Sequence, residues 1–218
     1  MHDAIKSAAQ SSYMSTGKVV KPSDRRMLKE IGPNGSGIYS GQLISGRLLS
    51  KIMSSVNSLE YKSPSSYERN IFSTYLMSSS SGVGGFKLAS ILSAVYRRLT
   101  SEYMLQTGIN LDVPSFPNSS CTIKSQTIGQ SHEVHTDGGD SDCGMGRIIH
   151  SSVICLNDDY EGGHTQFYLT GTMDEPNIDI DIKLKAGQAL IFNADLNYHG
   201  VTEVTAGSRF SLIQFWRE

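Results

Sequence analysis

The spacing of apolar residues changes near Pro117, and that change constrains the fold more than any other feature of the chain. Upstream, hydrophobic side chains recur every three to four positions. Ile44, Leu48, Ile52 and Val56, flanked by Leu49 and Met53, make one stripe; Leu88, Ile91, Leu92, Val95, Tyr96, Leu99 and Tyr103 make a second. Such spacing lays one apolar face along a helix, so residues 41–106 are expected to be mainly helical, with both stripes facing the core. Gly108 stands just past the second stripe, where a left-handed C-cap would close a helix. Residues 78–85, SSSSGVGG, offer almost no side chain to pack and are expected to form a loop. Residues 1–40 show little periodicity.

Downstream the period is two. Residues 178–185 read Ile-Asp-Ile-Asp-Ile-Lys-Leu-Lys, which puts four aliphatics on one face of a strand and four charges on the other. Comparable segments fall at 119–128, 132–137, 148–156, 164–170, 188–193, 199–204 and 208–216. Eight short strands between Gly, Asn and Asp turns predict an antiparallel sandwich or barrel, with the jelly roll as the leading form. Helices first and strands afterwards predict an α+β chain with its helices on one face of the sheet. At 218 residues a single domain is expected, 1–117 as mainly helical support and 118–218 as the jelly-roll core.

Composition excludes several function classes. Nineteen Lys and Arg against 21 Asp and Glu give a net charge of −2, without the basic excess that nucleic acid or anionic membrane would select. Neither is expected as a partner. Residues 1–10 lack the apolar core of a secretory signal, and no apolar run is long enough to span a bilayer. Three cysteines, Cys121, Cys143 and Cys155, form no CxxC pair; they suit a reducing compartment and argue against a disulfide framework or a thiolate zinc site. A cytoplasmic location is expected.

The chemistry centres on His135-Thr136-Asp137. Residues two apart on a strand project from one face about 6–7 Å apart at Cα, so an imidazole and a carboxylate can converge on one ion. His199, 64 residues later at the start of a strand, is the best candidate for a third ligand. Two histidines and one carboxylate on one face of an octahedron make the non-haem Fe(II) triad, with open positions for chemistry. Taken alone, H-T-D reads better as a hydrogen-bonded surface cluster. Arg209 and Ser211 share a strand face, and a guanidinium beside a hydroxyl suits a carboxylate. Fe(II), Asp137, a dicarboxylate and Arg209 would together be neutral, as a low-dielectric pocket favours. Singly, Arg209 is equally well read as a solvated residue after the Ala206-Gly207 turn.

Five elements in order give these residues a context: H-T-D at 135–137, LNDDYEGGHTQF at 156–167, KAGQALIFN at 185–193, HGV at 199–201 and GSRFS at 207–211. In these the chain resembles the Fe(II)- and 2-oxoglutarate-dependent dioxygenases, closest to the prolyl 4-hydroxylase-like branch, over about 121–216. The resemblance implies a double-stranded β-helix, with iron held by His135, Asp137 and His199. It implies Arg209 on the distal carboxylate of 2-oxoglutarate, helped by Ser211, with O2 as second cosubstrate and ascorbate as a supporting reductant. Halogenating relatives carry a small residue where Asp137 stands, so hydroxylation with release of succinate and CO2 is the implied reaction.

Two departures bear on the substrate. Many relatives carry Tyr nine and three residues before the first histidine, whereas this chain has Gln126 and His132. Gln126 would then replace a tyrosine that touches 2-oxoglutarate. Prolyl 4-hydroxylases often have Lys where Arg209 stands. The expected substrate is therefore a small molecule, such as an amino acid or biosynthetic intermediate, ahead of a peptidyl proline. A cupin-like metal-binding protein and a catalytically silent 2-oxoglutarate sensor are readings of another class. Among the other histidines, His2 is expected to be solvated and His132, His150 and His164 hydrogen-bonded or half-exposed, with His132 nearest a site role. Gly162-Gly163 should close a turn with positive φ, and Tyr160 and Phe167 should pack. Asp158, Asp159, Asp179 and Asp181 read as solvated positions. Residues 138–147, GGDSDCGMGR, read either as a flexible connection or as a lid over the open coordination face, and their position directly after the H-T-D strand slightly favours the lid.

Overall fold

A computed structural model describes residues 27–57, 72–75, 82–113, 121–138, 146–171 and 176–218. Both apolar stripes lie on helices, α1 (Gly46–Val56) and α2 (Gly82–Thr107). Gly108 ends α2 with φ +78, and its N–H reaches the carbonyl of Met104 at 2.8 Å. That is the cap a left-handed glycine provides.

The strands are β1 (Lys29–Glu30), β2 (Ile38–Gln42), β3 (Phe72–Tyr75), β4 (Thr122–Thr127), β5 (His132–His135), β6 (Ile148–Cys155), β7 (Glu161–Gly162), β8 (Thr165–Tyr168), β9 (Thr170–Gly171), β10 (Pro176–Asn177), β11 (Ile180–Ile182), β12 (Gln188–Asn193), β13 (Tyr198–Val201), β14 (Val204–Ala206) and β15 (Ser208–Arg217). They form a seven-stranded sheet in the order β1-β2-β12-β6-β15-β4-β3, a four-stranded sheet in the order β11-β8-β13-β5, and two short ribbons. Pairing is antiparallel in both sheets.

Register decides which residues meet. Ala189, Ile154, Leu212 and Ile123 follow one another across the large sheet as Cα partners. They share one buried cluster with Ile52 and Val56 of α1 and Leu88, Leu92 and Leu99 of α2. One residue along, Leu190, Val153 and Ile213 are partners in turn. Leu190, Val153, Cys155 and Phe192 bury instead with Phe167 and Leu184. Phe167 belongs to the small sheet, so this second cluster lies between the sheets. The unbroken run Ala189-Leu-Ile-Phe192 is thereby explained: β12 is apolar on both faces because both are covered. Trp216 Nε1 donates to the Asp112 carbonyl at 2.8 Å, tying the last strand to the segment after α2.

Several expectations change. The aperiodic stretch before residue 41 supplies β1 and β2, and β3 interrupts the region read as helical. β2 pairs along β12 from Ile38↔Phe192 to Gln42↔Gln188, although IYSGQ carries little alternation. A Cβ at Gly41 would lie only 1.9 Å from the Met27 carbonyl oxygen, so a close backbone crossing selects glycine inside this strand. The loop expected at 78–85 is helical from Gly82 onward; its first residues, 78–81, lie outside the described residues. In 178–185 only Ile180–Ile182 pairs as strand; Ile178 is 55% exposed whereas Leu184 is buried. Asp179 is not simply solvated, since its carboxylate accepts the Leu169 and Thr170 N–H groups at 2.7 and 2.8 Å. His2, residues 1–26 and positions 139–145 of the glycine-rich connection lie outside the described residues. Among the described residues, no helix is long and apolar enough to cross a membrane.

Candidate metal centre and anion pocket

β5 and β13 are neighbours, and His135 and His199 are direct Cα partners across them. Both imidazoles project from the face toward the large sheet, with ring centroids 4.4 Å apart. Asp137, two residues beyond His135, turns its carboxylate between them. Oδ1 lies 3.2 Å from His135 Nε2 and Oδ2 lies 3.4 Å from His199 Nε2. One ligand atom from each residue falls within 4.8 Å of the other two.

Backbone contacts set the tautomers. His135 Nδ1 sits 2.8 Å from the Glu133 carbonyl, and His199 Nδ1 sits 3.1 Å from the Asn197 carbonyl. A carbonyl can only accept, so each Nδ1 carries its proton and each Nε2 presents a lone pair. Two lone pairs then face carboxylate oxygens, a repulsive arrangement unless a proton or a cation lies between. Such ring orientation by backbone carbonyls is characteristic of metal-ligating histidines. The N, N, O donor set fits Fe(II), with positions left open.

Titration follows from the same contacts. Burial alone would raise Asp137, but the His135 hydrogen bond and the charges of His199 and His135 outweigh it and hold the carboxyl at about 2. Burial would lower His135, yet the hydrogen bond and charge of Asp137 leave its imidazole above the ordinary value. His199 is held low by burial, only partly opposed by Asp137. His135 is therefore the group whose proton a metal must displace. Its folded-state value exceeds the unfolded one, so the stability it lends the metal-free chain is present at low pH and lost as pH rises through that value. Metal binding runs the opposite way. Affinity should weaken by up to roughly tenfold per pH unit as pH falls below the raised His135 value, while Asp137 stays ionised. Calorimetric metal titrations at about pH 8 and about pH 6 check this, and equal affinities would contradict it.

At the other end of the inter-sheet pocket lies Arg209, only 2% exposed. Its Cα partner on β4 is Gln126, and Nη1 donates to Gln126 Oε1 at 2.6 Å and to Ser211 Oγ at 3.3 Å. Arg209 Nε, Gln126 Nε2 and Thr165 Oγ1 are buried without a hydrogen-bond partner. A buried guanidinium with unpaired donors beside it is costly unless an anion completes it, so these residues fit a carboxylate. Tyr160, read from sequence as packing only, borders this end: burial raises its phenol, with Cys155 adding to the effect and Arg209 opposing it. Gly163, at φ +62, lies where a Cβ would come within 3.0 Å of Arg209 Cδ and Tyr160 Cε2. Gly162 also has positive φ, as the turn requires.

The structure thus brings together His135, Asp137 and His199, and separately Arg209, Ser211 and Gln126. His132 lines the pocket with its ring 4.3 Å from that of His135; burial, then Lys124, lowers it to about 4. His150 and His164 belong elsewhere. His150 is buried beside the helices, its Nε2 3.0 Å from Tyr103 Oη, and His164 Nδ1 pairs with Asp181 at 3.0 Å, so Asp181 is not merely solvated. Lys124 and Thr165 line the pocket and were not singled out from sequence. Lys124 stands two residues before Gln126, and strand alternation alone would have placed it on the same face.

Residues 121–217 match the model of the 2OG-Fe(II) oxygenase superfamily. No curated protein matches the sequence. Among solved structures, an oxidoreductase of the 2OG-Fe(II) oxygenase family from Burkholderia pseudomallei is 16% identical, with a TM-score of 0.63 over 84% of this chain and 85% of that one. A prolyl-4-hydroxylase from Pseudomonas putida is 15% identical, with a TM-score of 0.60 over 84% and 94%. A prolyl hydroxylase from Trichoplax adhaerens, in complex with a peptide fragment of the hypoxia inducible factor oxygen degradation domain, is 14% identical, with a TM-score of 0.60 over 84% of each chain. At these identities the likeness is one of fold.

Proposed function

We propose, from the match of residues 121–217 to the 2OG-Fe(II) oxygenase superfamily, that the protein is an enzyme of that kind and hydroxylates an unactivated C–H bond of a small molecule, such as an amino acid or biosynthetic intermediate. The family uses Fe(II), 2-oxoglutarate and O2. In this reading His135, Asp137 and His199 hold the iron, and Arg209, Ser211 and Gln126 hold the distal carboxylate of 2-oxoglutarate. When bound, the iron and cosubstrates supply the oxidising chemistry, with succinate and CO2 as products. The chain's own part is positional. Backbone carbonyls orient the two imidazoles, Arg209 fixes the far end of the cosubstrate, and the apolar walls between the sheets keep water out.

The observation that carries this reading is the pairing of two lone-pair-bearing Nε2 atoms around one carboxylate with an under-satisfied buried arginine in the same pocket. The two sheets are read as the layers of a double-stranded β-helix, with α1 and α2 on the outer face of the larger and 1–218 as one domain. The buried free Cys121 and Cys155 suit a cytoplasmic, reducing location, and the balanced charge speaks against nucleic acid as a partner.

The prolyl hydroxylases among the structural neighbours favour a second reading, peptidyl prolyl 4-hydroxylation. Gln126 and His132 stand against it, where many prolyl hydroxylase-like relatives have tyrosines. Succinate release, screened with free amino acids and metabolites beside proline-containing peptides, separates the two. Turnover with small molecules is expected. Coupled turnover with peptides alone, adding one oxygen to proline, would establish the second reading.

A further inference from the structure

The metal end of the molecule carries an ion pair that joins its two sheets. Arg147, just before β6, extends its guanidinium to Asp195 in the turn between β12 and β13. Nη2 lies 2.7 Å from Oδ2, and Nε donates to Oδ1 at 3.3 Å. Arg147 is rooted in the large sheet: the Glu218 N–H donates to its carbonyl at 3.1 Å, and Arg217 Nη1 donates to the neighbouring Gly146 carbonyl at 2.8 Å. β12 belongs to that sheet and β13 to the small one, so the turn that carries Asp195 crosses between them.

That turn holds two of the three candidate ligands. The Ala194 carbonyl accepts the N–H of Gly138, the residue after Asp137, at 3.0 Å. A Cβ at Gly138 would lie 2.1 Å from Asp195 Oδ1 and 2.7 Å from Asp195 Cα. Gly138 is not among the glycines with positive φ, so room for Asp195, rather than backbone conformation, selects glycine here. Asn193 Oδ1 accepts the N–H groups of Asp195 and Leu196 at 2.9 and 3.0 Å, and Asn197 Nδ2 donates to the Asn193 carbonyl at 3.0 Å. The Asn197 carbonyl in turn accepts from His199 Nδ1 at 3.1 Å. Residues 193–197 are thereby one hydrogen-bonded unit, with Asp137 tied to it through Gly138 and His199 through Asn197.

We propose that Asp195, clamped by Arg147, is a positioning residue of the metal centre, fixing the Asp137 carboxylate through its contact with Gly138. This rests on reading His135, Asp137 and His199 as the metal ligands. With side chains 47% and 25% exposed, the pair adds little to global stability. Its effect falls instead on ligand geometry, as it does for other groups that orient metal ligands from behind.

The test titrates the full chain with Co(II), whose visible absorption reports ligand geometry. Asp195→Asn keeps the shape and removes the charge; Arg147→Met removes the other partner at a half-exposed position. Each should weaken Co(II) binding by roughly tenfold and alter the visible spectrum at saturating metal. The double variant should be no weaker than either alone, because both substitutions remove one interaction. Arg147→Lys should recover part of the loss. Gly138→Ala, whose Cβ would displace Asp195 or Asp137, should weaken binding by roughly a hundredfold. Wild-type Co(II) affinity and spectrum in both Asp195→Asn and Arg147→Met would overturn the inference, whatever their melting temperatures. So would additive losses in the double variant, because the two residues would then act separately. Wild-type protein that fails to bind Co(II), or binds it as well after His199→Ala, would instead reject the reading of the three ligands, and the inference with it.

Discussion

His199→Ala is expected to leave the purified protein nearly free of iron and without succinate production. Only His135 and Asp137 would remain of the ligand set, and no described side chain is placed to replace the third. His132 is nearest, its ring 4.3 Å from that of His135, but it is not among the residues whose ligand atoms converge. His150 packs beside the helices, and His164 is engaged by Asp181. Loss of an outer-shell partner costs roughly 10–100-fold in metal affinity, and loss of a ligand should cost more. Elemental analysis at matched protein concentration reads the result, with circular dichroism to show that the fold is kept. Full occupancy in the variant would move the third ligand to His132.

Arg209→Ala should raise the apparent constant for 2-oxoglutarate by roughly one to three orders of magnitude, at about 1.4 kcal/mol per decade. The variant would leave a buried carboxylate without its charged partner, a loss of a few kcal/mol. It would also strip Gln126 Oε1 of the donor now 2.6 Å away, so some stability should be lost with it. Arg209→Lys separates the two effects. A lysine restores the charge without the fork, and should recover part of the affinity. An unchanged 2-oxoglutarate titration for folded Arg209→Ala would remove Arg209 from the cosubstrate site.

What the sequence makes legible here depends on the range of the interaction. The helical stripes, the Gly108 cap and the segments that became β4, β5, β6, β8, β11, β12, β13 and β15 are local patterns, visible in a short window. The convergence of His135 on His199 is not local: 64 residues separate them, and only the ordered motifs indicated that they meet. β2 escaped notice because its place is set by its partner. Ile38–Gln42 is a strand because β12 offers an edge and because Gly41 lets Met27 pass close by. Asp179 looked like one charge of an alternating strand, whereas its carboxylate caps two N–H groups of the neighbouring segment. Ile178 shows the limit of period counting, since alternation persists where pairing has stopped. Lys124 was legible by parity with Gln126, but a lone lysine on a strand carries no signal until the opposing sheet encloses it.

The central claim is that one metal, held by His135, Asp137 and His199, completes the site that binds 2-oxoglutarate. Anaerobic calorimetric titration of 2-oxoglutarate into Fe(II)-loaded and metal-free protein tests it most directly. One equivalent should bind to the loaded protein, with far weaker binding once the metal is removed. Equal binding with and without metal, or no binding to a chain carrying a full equivalent of iron, would contradict it.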